Sequence, residues 1–456
     1  MIKKKSDLWN RLIIFAEAEM ERHNIPGSAI GITHQGERFT AGLGVTSIDN
    51  PLPVTETTLF QVGSITKTFT ATIILRLVEG GKLTLDTRVQ EILPEFKLKD
   101  QGASEKCTIR HLLTHSGGWV GDFFIDTGPG DDALEKYVQR MVELDQVVPI
   151  GSYYSYNNAG FCLLGLIIER MLKKPFQEVL EEVILSPLGL ENSFLNPTDV
   201  MVKRFAVGHQ TNAGVLSVAQ PWPIPRYAGP AGGLACDVGD LLSYAQFHMD
   251  GKTRTKDPIL KPETRTMMQE KQLEIRAEKE FVGLSWFADI FDGKAVLTHG
   301  GGTNGQISRI FYLPDANAAL VVLTNSDQGG QLTQSIWKWW LREYLTLEVP
   351  TLKTIEASLE QMKEIEGRYI MPRVGYMDIA VLGDTLVAQD VYTGGFPTED
   401  TPPPPAPPPY RIGFTETDRL VILDGVGKDV EGQVIRDESG NLTFLRLGGR
   451  LHTREE

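Results

Sequence analysis

The sequence predicts an α+β protein: one antiparallel sheet flanked by helices and carrying a helical insert, followed by a small all-β, barrel-like unit. Three observations predict it. Strand-like alternation occurs near both ends of the first 350 residues, helical periodicity fills the stretch between, and beyond Thr351 the texture changes to short strands.

The elements follow in order. "DLWNRLIIFAEAEMERH" reads as an amphipathic helix. "IPGSAIGITHQGERFTAGLGVTS" alternates apolar and polar residues around "HQGE", a hairpin signal. A helix over 64–79 should stop at Gly80–Gly81, where glycine suits the left-handed position. From about 85 to 215 the reading is mostly helical, with long loops and segments such as "TIRHLLTH", "DALEKYVQRMVEL" and "NAGFCLLGLIIERML". Asp237 is a suitable N-cap for "DVGDLLSYAQFHM". Strands return at "AVLTHGG", "SRIFYL" and "AALVVLTN", before the helix "QLTQSIWKWWLREYL".

The division is then 1–350 for the first unit, 351–365 for a connector and 366–456 for the β unit, with strands in "RYIMP", "MDIAVLGDTLVAQ", "RLVILDG", "GQVIRD" and "LTFLRLGG". The tract "TPPPPAPPP" at 401–409 reads as a stiff loop within that unit.

Composition narrows the function. With 41% hydrophobic and 23% charged residues among 456, a sizeable core can form. A net charge of −14 without a long basic tract argues against nucleic acid. Cys107, Cys162 and Cys236 are too few and too scattered for a disulfide framework or a C-x-x-C site, and fit a reducing compartment. The N-terminal apolar run "LIIFA" is too short and too interrupted for a signal peptide, and no run of about 18 apolar residues exists. The expectation is a cytoplasmic protein without a membrane span.

Three stretches carry chemistry. "QVGSITKTFT" places Ser64 after Gly63 and Lys67 three residues later, at the head of an apolar run. Such a spacing also arises by accident, and the chain holds a second, Ser335–Lys338. Context separates them: Ser64 opens a helix with a free backbone N–H, Lys67 shares its face, and burial would free some of the amine to take the serine proton. Ser335 sits mid-helix beside "WKWW". Next, "YYSYNNAGF" holds Tyr156 and Asn158 before a helix. A tyrosine near a lysine can have its phenol pKa lowered and shuttle protons, and an amide can orient a carbonyl; the plainer reading is a loop tyrosine beside a capping asparagine. Last, His299 precedes Gly300, Gly301 and Gly302 at a strand end, where glycine allows either a close backbone approach or a bulge.

Together with "IPGSAIGI", "GKLTLDTRV", "TIRHLLTHSGG" and "AGPAGGLACDVGDLL", these motifs in this order resemble the serine β-lactamase and penicillin-binding-protein superfamily over about 1–345. The similarity is closer to the branch of class C β-lactamases, family VIII carboxylesterases and D-aminopeptidase-type enzymes. The resemblance implies the β-lactamase/transpeptidase-like fold and an acyl-enzyme mechanism without cofactor or metal. Ser64 would be the nucleophile, Lys67 its base, Tyr156 a proton relay and Asn158 a substrate-orienting amide. His299 would stand where the family often has lysine or arginine, with Gly301 beside it and the N–H groups of Ser64 and Gly302 as oxyanion hole. A largely neutral histidine there favours an esterase over a strong β-lactamase.

The expected function is thus a serine hydrolase acting on a small ester, with weak β-lactam hydrolysis. The alternatives are a D-amino-acid peptidase, amidase or β-lactamase and, from another class, a non-catalytic penicillin- or peptide-binding protein. The expected partners are a small-molecule ester, amide or β-lactam and a second copy of the chain in a homo-oligomer. The C-terminal unit, with "EIEGRYI", resembles the lipocalin-like barrel appended to some members, either covering the cleft or a stabilising appendage.

Competing motifs fail. No G-x-S-x-G elbow occurs, and no lysine-serine or lysine-threonine follows the glycine clusters. His111 and His115 in "HLLTH" have i, i+4 spacing but lack the glutamate of a zinc protease helix, so helix packing is preferred.

Overall fold

The computed structural model describes residues 2–255, 257–276, 279–349 and 352–455. Residues 350 and 351, where the connector is expected to begin, lie outside the described residues.

The hairpin around "HQGE" forms as β1 (Gly27–His34) and β2 (Glu37–Gly44), turning at Gln35–Gly36, both with positive φ. Short strands β3 (Leu273–Arg276), β4 (Glu280–Val282) and β5 (Phe287–Phe291) precede β6 (Lys294–Thr303), β7 (Gln306–Leu313) and β8 (Ala318–Thr324). Their order is β2-β1-β8-β7-β6-β5-β4-β3, so the two ends of the first unit meet where β1 pairs antiparallel with β8. β8 is buried at every position, because helices cover both faces of the sheet. On one face, α1 (Ile2–Arg22) contributes Leu12, Ala16 and Met20 to a core shared with Leu332 and Ile336. On the other lies α4 (Val238–Asp250), whose Val238 and Leu242 fill the space beside Gly31. Asp237 caps α4 as expected, accepting the N–H of Asp240.

The central helix of the second layer is α2 (Thr66–Glu79), buried from Thr66 through Leu75. A helix buried on all sides must satisfy its own polar groups. Thr66, Thr68 and Thr72 donate to the carbonyls of Gly63, Ile65 and Thr68, and Thr70 donates to Pro230 O. The helix closes at Gly80 and Gly81, the latter at φ 67°. Beside it packs α3 (Asn158–Leu172), another nearly wholly buried helix. The segment "QLTQSIWKWWLREYL" is helical from Gly329 to Trp339 (α5) and continues as a π-helical turn, Trp340–Tyr344.

The C-terminal strands close into an eight-stranded barrel: β9 (Gly367–Met371), β10 (Gly375–Leu382), β11 (Thr385–Tyr392), β12 (Tyr410–Glu416), β13 (Arg419–Ile422), β14 (Glu431–Arg436), β15 (Leu442–Leu447) and β16 (Arg450–Arg454). Closure pairs β9 with β16 and leaves no open edge. The proline tract joins β11 to β12 as an extended loop. Among the described residues, no helix is long and apolar enough to cross a membrane.

Candidate active site

The site begins where the chain turns into α2. Gly63, at φ 51°, lies so close to β6 that a Cβ would stand 2.7 Å from the Gly302 backbone. The expected helix over 64–79 differs at its start: Gly63–Ile65 is a 3-10 turn and the α-helix begins at Thr66. Ser64 is half-buried, whereas Lys67 is fully buried. Lys67 Nζ lies 3.0 Å from Ser64 Oγ and donates to Ala231 O at 2.6 Å. The Tyr156 and Phe161 rings stand 5.1 and 5.6 Å from the amine. Burial pushes the Lys67 pKa down to about 7, so much of the amine is free at neutral pH.

Tyr156 comes to this amine from the irregular segment before α3. Asn157 caps that helix, accepting the Gly160 N–H at 2.8 Å, and Asn158 occupies its first turn. The Tyr156 hydroxyl is buried close to Ser64, and among the described residues it completes no hydrogen bond. Here the expectation of a lowered phenol pKa is reversed. Burial raises it, and the opposing influences of Ser64 and Arg450 do not compensate. Lysine and tyrosine are thus pushed apart, one toward the free amine and the other toward the neutral phenol.

The "HLLTH" histidines face different partners. His111 Nδ1 accepts the Thr108 N–H within the cap of its own helix. His115, at φ 54°, stacks on Tyr156 with ring centroids 4.3 Å apart and accepts the Asn157 N–H at Nδ1. It braces the tyrosine.

The glycine strand closes the site from the sheet side. A Cβ on Gly301 would stand 1.8 Å from Val62 O, so the strand can lie against the Ser64 segment only with glycine there. His299 is buried and donates Nδ1–H to Gly300 O at 2.6 Å, which leaves Nε2 as an acceptor without a partner among the described residues. Burial, reinforced by Lys67, lowers its pKa to about 3. It is a neutral residue at the wall of the site. Ser64, Tyr156, Asn158, His299, Gly301 and Gly302 all line one cleft of about 1270 Å³, and Lys67 reaches it through Ser64.

Sequence reasoning missed three charged residues at this cleft. Arg309 on β7 sits in register with Gly300, its side chain lying across the glycine, and among the described residues it makes no ion pair. Asp122, 6% exposed, accepts the Asn158 Nδ2–H at 2.6 Å. Arg450, at the start of β16, donates to both oxygens of Asp122 and stands 5.0 Å over the Tyr156 ring. The barrel therefore touches the cleft. Gly449 O accepts the Tyr156 N–H at 2.9 Å, and Gly448, Gly449 and Arg450 line the cavity. Phe396, from the loop after β11, packs edge-on against Phe124 at 5.1 Å. For Asp122 a signal existed: one carboxylate inside the apolar stretch "WVGDFFI" must be buried and therefore paired.

Comparison with known proteins bears on the family and the fold. The sequence model of the family described as Beta-lactamase matches residues 15–342. Penicillin-binding protein 4 of Amycolatopsis lactamdurans is 29% identical over 341 residues, 73% of this chain and 90% of that protein. The octameric penicillin-binding protein homologue from Pyrococcus abyssi superposes with a TM-score of 0.63 at 24% identity, covering 98% of this chain and 99% of that one. A class C β-lactamase from Rhodobacter sphaeroides gives a TM-score of 0.60 at 24% identity, over 74% of this chain and 99% of its own.

Proposed function

The chain belongs to the Beta-lactamase family, a group of serine hydrolases, and from that premise we propose that it is a hydrolase working through an acyl-enzyme on Ser64, with small neutral esters as preferred substrates. The observation that carries the reading is the 3.0 Å approach of a fully buried Lys67 amine to the Ser64 hydroxyl.

Ser64 gives its proton to the Lys67 amine as its oxygen bonds the carbonyl carbon. The carbonyl electron pair moves onto oxygen, held by the N–H groups of Ser64 and Gly302. As the intermediate collapses, Tyr156 passes its phenol proton to the leaving alkoxide and recovers one from the Lys67 ammonium. Water then adds to the acyl carbon by the same route, and the acid leaves as Ser64 regains its proton. Asn158, fixed by Asp122, orients the carbonyl.

The neutral, acceptor-only face of His299 supports an ester without a carboxylate over a strongly bound β-lactam. A second reading, β-lactam or D-amino-acid peptide hydrolysis, is favoured by one observation: Arg309, whose Nε donates to Thr298 Oγ1 at 3.3 Å, brings to Gly300 a guanidinium that makes no ion pair among the described residues. The catalytic unit would be 1–350, joined by 351–365 to the barrel at 366–456. Its three buried free thiols fit a cytoplasmic setting. Self-association, as in the octameric homologue, extends the proposal to this chain; light scattering of the purified protein checks it.

Labelling with a fluorophosphonate probe tests the nucleophile: wild type is labelled and Ser64→Ala is not, and equal labelling would refute the reading. Mass spectrometry after mixing with p-nitrophenyl butyrate or nitrocefin separates enzyme from binder. Continuous product release is expected, whereas a stoichiometric adduct that never clears would mark a penicillin- or peptide-binding protein.

A further inference from the structure

We propose that Arg450, carried into the cleft by the last hairpin of the barrel, is a positioning residue for hydrolysis: with Asp122 it fixes the Asn158 amide and the Tyr156 phenol and balances the charge facing Lys67. The proposal rests on the hydrolase reading.

The geometry is a chain of contacts from one unit to the other. Two guanidinium nitrogens of Arg450 donate to the two carboxylate oxygens of Asp122, and one of these oxygens also accepts from Asn158. Such a two-point pair fixes orientation as well as distance. The same hairpin is anchored to the Tyr156 segment by the bond to Gly449 O, by Leu451 N–H to Ser155 Oγ at 3.3 Å, and by Arg446 to Tyr154 O. A Cβ on Gly449 would meet the Tyr154 hydroxyl at 3.2 Å, and at φ 82° that position favours glycine. The hairpin tip is therefore shaped to lie on the segment that holds Tyr156.

The charges settle why an arginine stands there. The groups facing Lys67 are Ser64 on the preceding turn, Cys162 on α3, Tyr156, Asp122 and His115 from the segments before α3, His299 on β6 and Arg450 from the barrel. Burial keeps both histidines and the phenol neutral and raises the Cys162 thiol to about 12. Two permanent charges remain, of opposite sign. Burial opposes the Asp122 charge, but Arg450 and Asn158 outweigh it and hold the carboxyl below its ordinary value. Asp122 alone would favour the Lys67 ammonium; Arg450 cancels that bias and leaves burial to set the amine.

The test follows the rate of fluorophosphonate acylation of Ser64 against pH. This readout needs no choice of natural substrate, and a purely structural role would not shift its midpoint. For wild type the rate should rise through a midpoint near 7, the value at which the Lys67 amine becomes free. Arg450→Ala leaves Asp122 uncompensated and moves the midpoint to higher pH. Asp122→Asn leaves Arg450 and moves it lower. The double variant restores the midpoint but keeps a lowered plateau, by roughly tenfold to a hundredfold, because the phenol and amide are no longer held. Arg450→Lys keeps the charge and loses the two-point pair, so its midpoint stays and its plateau falls; it also serves if Arg450→Ala does not fold. Coincident midpoints in the folded single variants, or a wild-type plateau in Arg450→Lys, would overturn the proposal. An unlabelled wild type would instead overturn the hydrolase reading, and this one with it.

Discussion

Ser64–Lys67 and Ser335–Lys338 share a spacing and nothing else that matters. Lys67 is wholly buried beside the serine, with a carbonyl and two aromatic rings around it. Lys338, on α5, is about one-third exposed and pairs with Asp429 of the barrel at 2.6 Å. The second lysine lies against water and a carboxylate, whereas desolvation makes the first a base. The lesson is that the motif supplies proximity, and only the surrounding packing supplies reactivity.

That contrast can be broken most sharply at the serines. Ser64→Ala should abolish ester turnover and probe labelling, while Ser335→Ala should leave both unchanged; activity surviving in the first would sink the contrast. The lysines come next. Lys67→Met, which suits the apolar surroundings, should lower kcat by about 10²–10⁴-fold, the worth of a general base. Lys338→Ala should leave kcat intact and reduce stability by at most about 1 kcal/mol, the scale of a partly exposed ion pair, as denaturant unfolding would show. Gly301→Ala should cost about 10²–10³-fold in kcat by forcing the strand away from Val62 and misplacing the Gly302 amide, with little change in α2 signals. The smallest effect is expected at Arg309. Arg309→Ala should leave p-nitrophenyl butyrate hydrolysis unchanged and weaken turnover of carboxylate-bearing substrates by roughly tenfold, the worth of one charged hydrogen bond. An equal loss on both substrates would remove Arg309 from anion recognition.

The same contrast explains what was legible in the sequence. Local signals carried the nucleophile segment, the hairpin at 27–44, the cap at Asp237 and the glycine strand, because each is written in neighbouring residues. β3 to β5 were not read: they are three to five residues long, and their periodicity is too brief to register. β12 and β16 were hidden for other reasons, one following the proline tract and the other, "RLHTR", holding a single aliphatic residue among polar ones. The pairing of Asp122 with Arg450 spans 328 positions and joins two units, so no local pattern could announce it. The Tyr156 pKa was misjudged because a nearby lysine was weighed without the burial that neutralises both groups.

Turnover at Ser64 depends on Lys67 losing its proton near neutrality. Selective ¹³C labelling of lysine Cε, with Lys67 assigned by its absence in Lys67→Met, reads that titration directly. A midpoint near pH 7 is expected, with the free amine declining tenfold for each unit below it. A midpoint near the ordinary lysine value of about 10.4 would contradict the account.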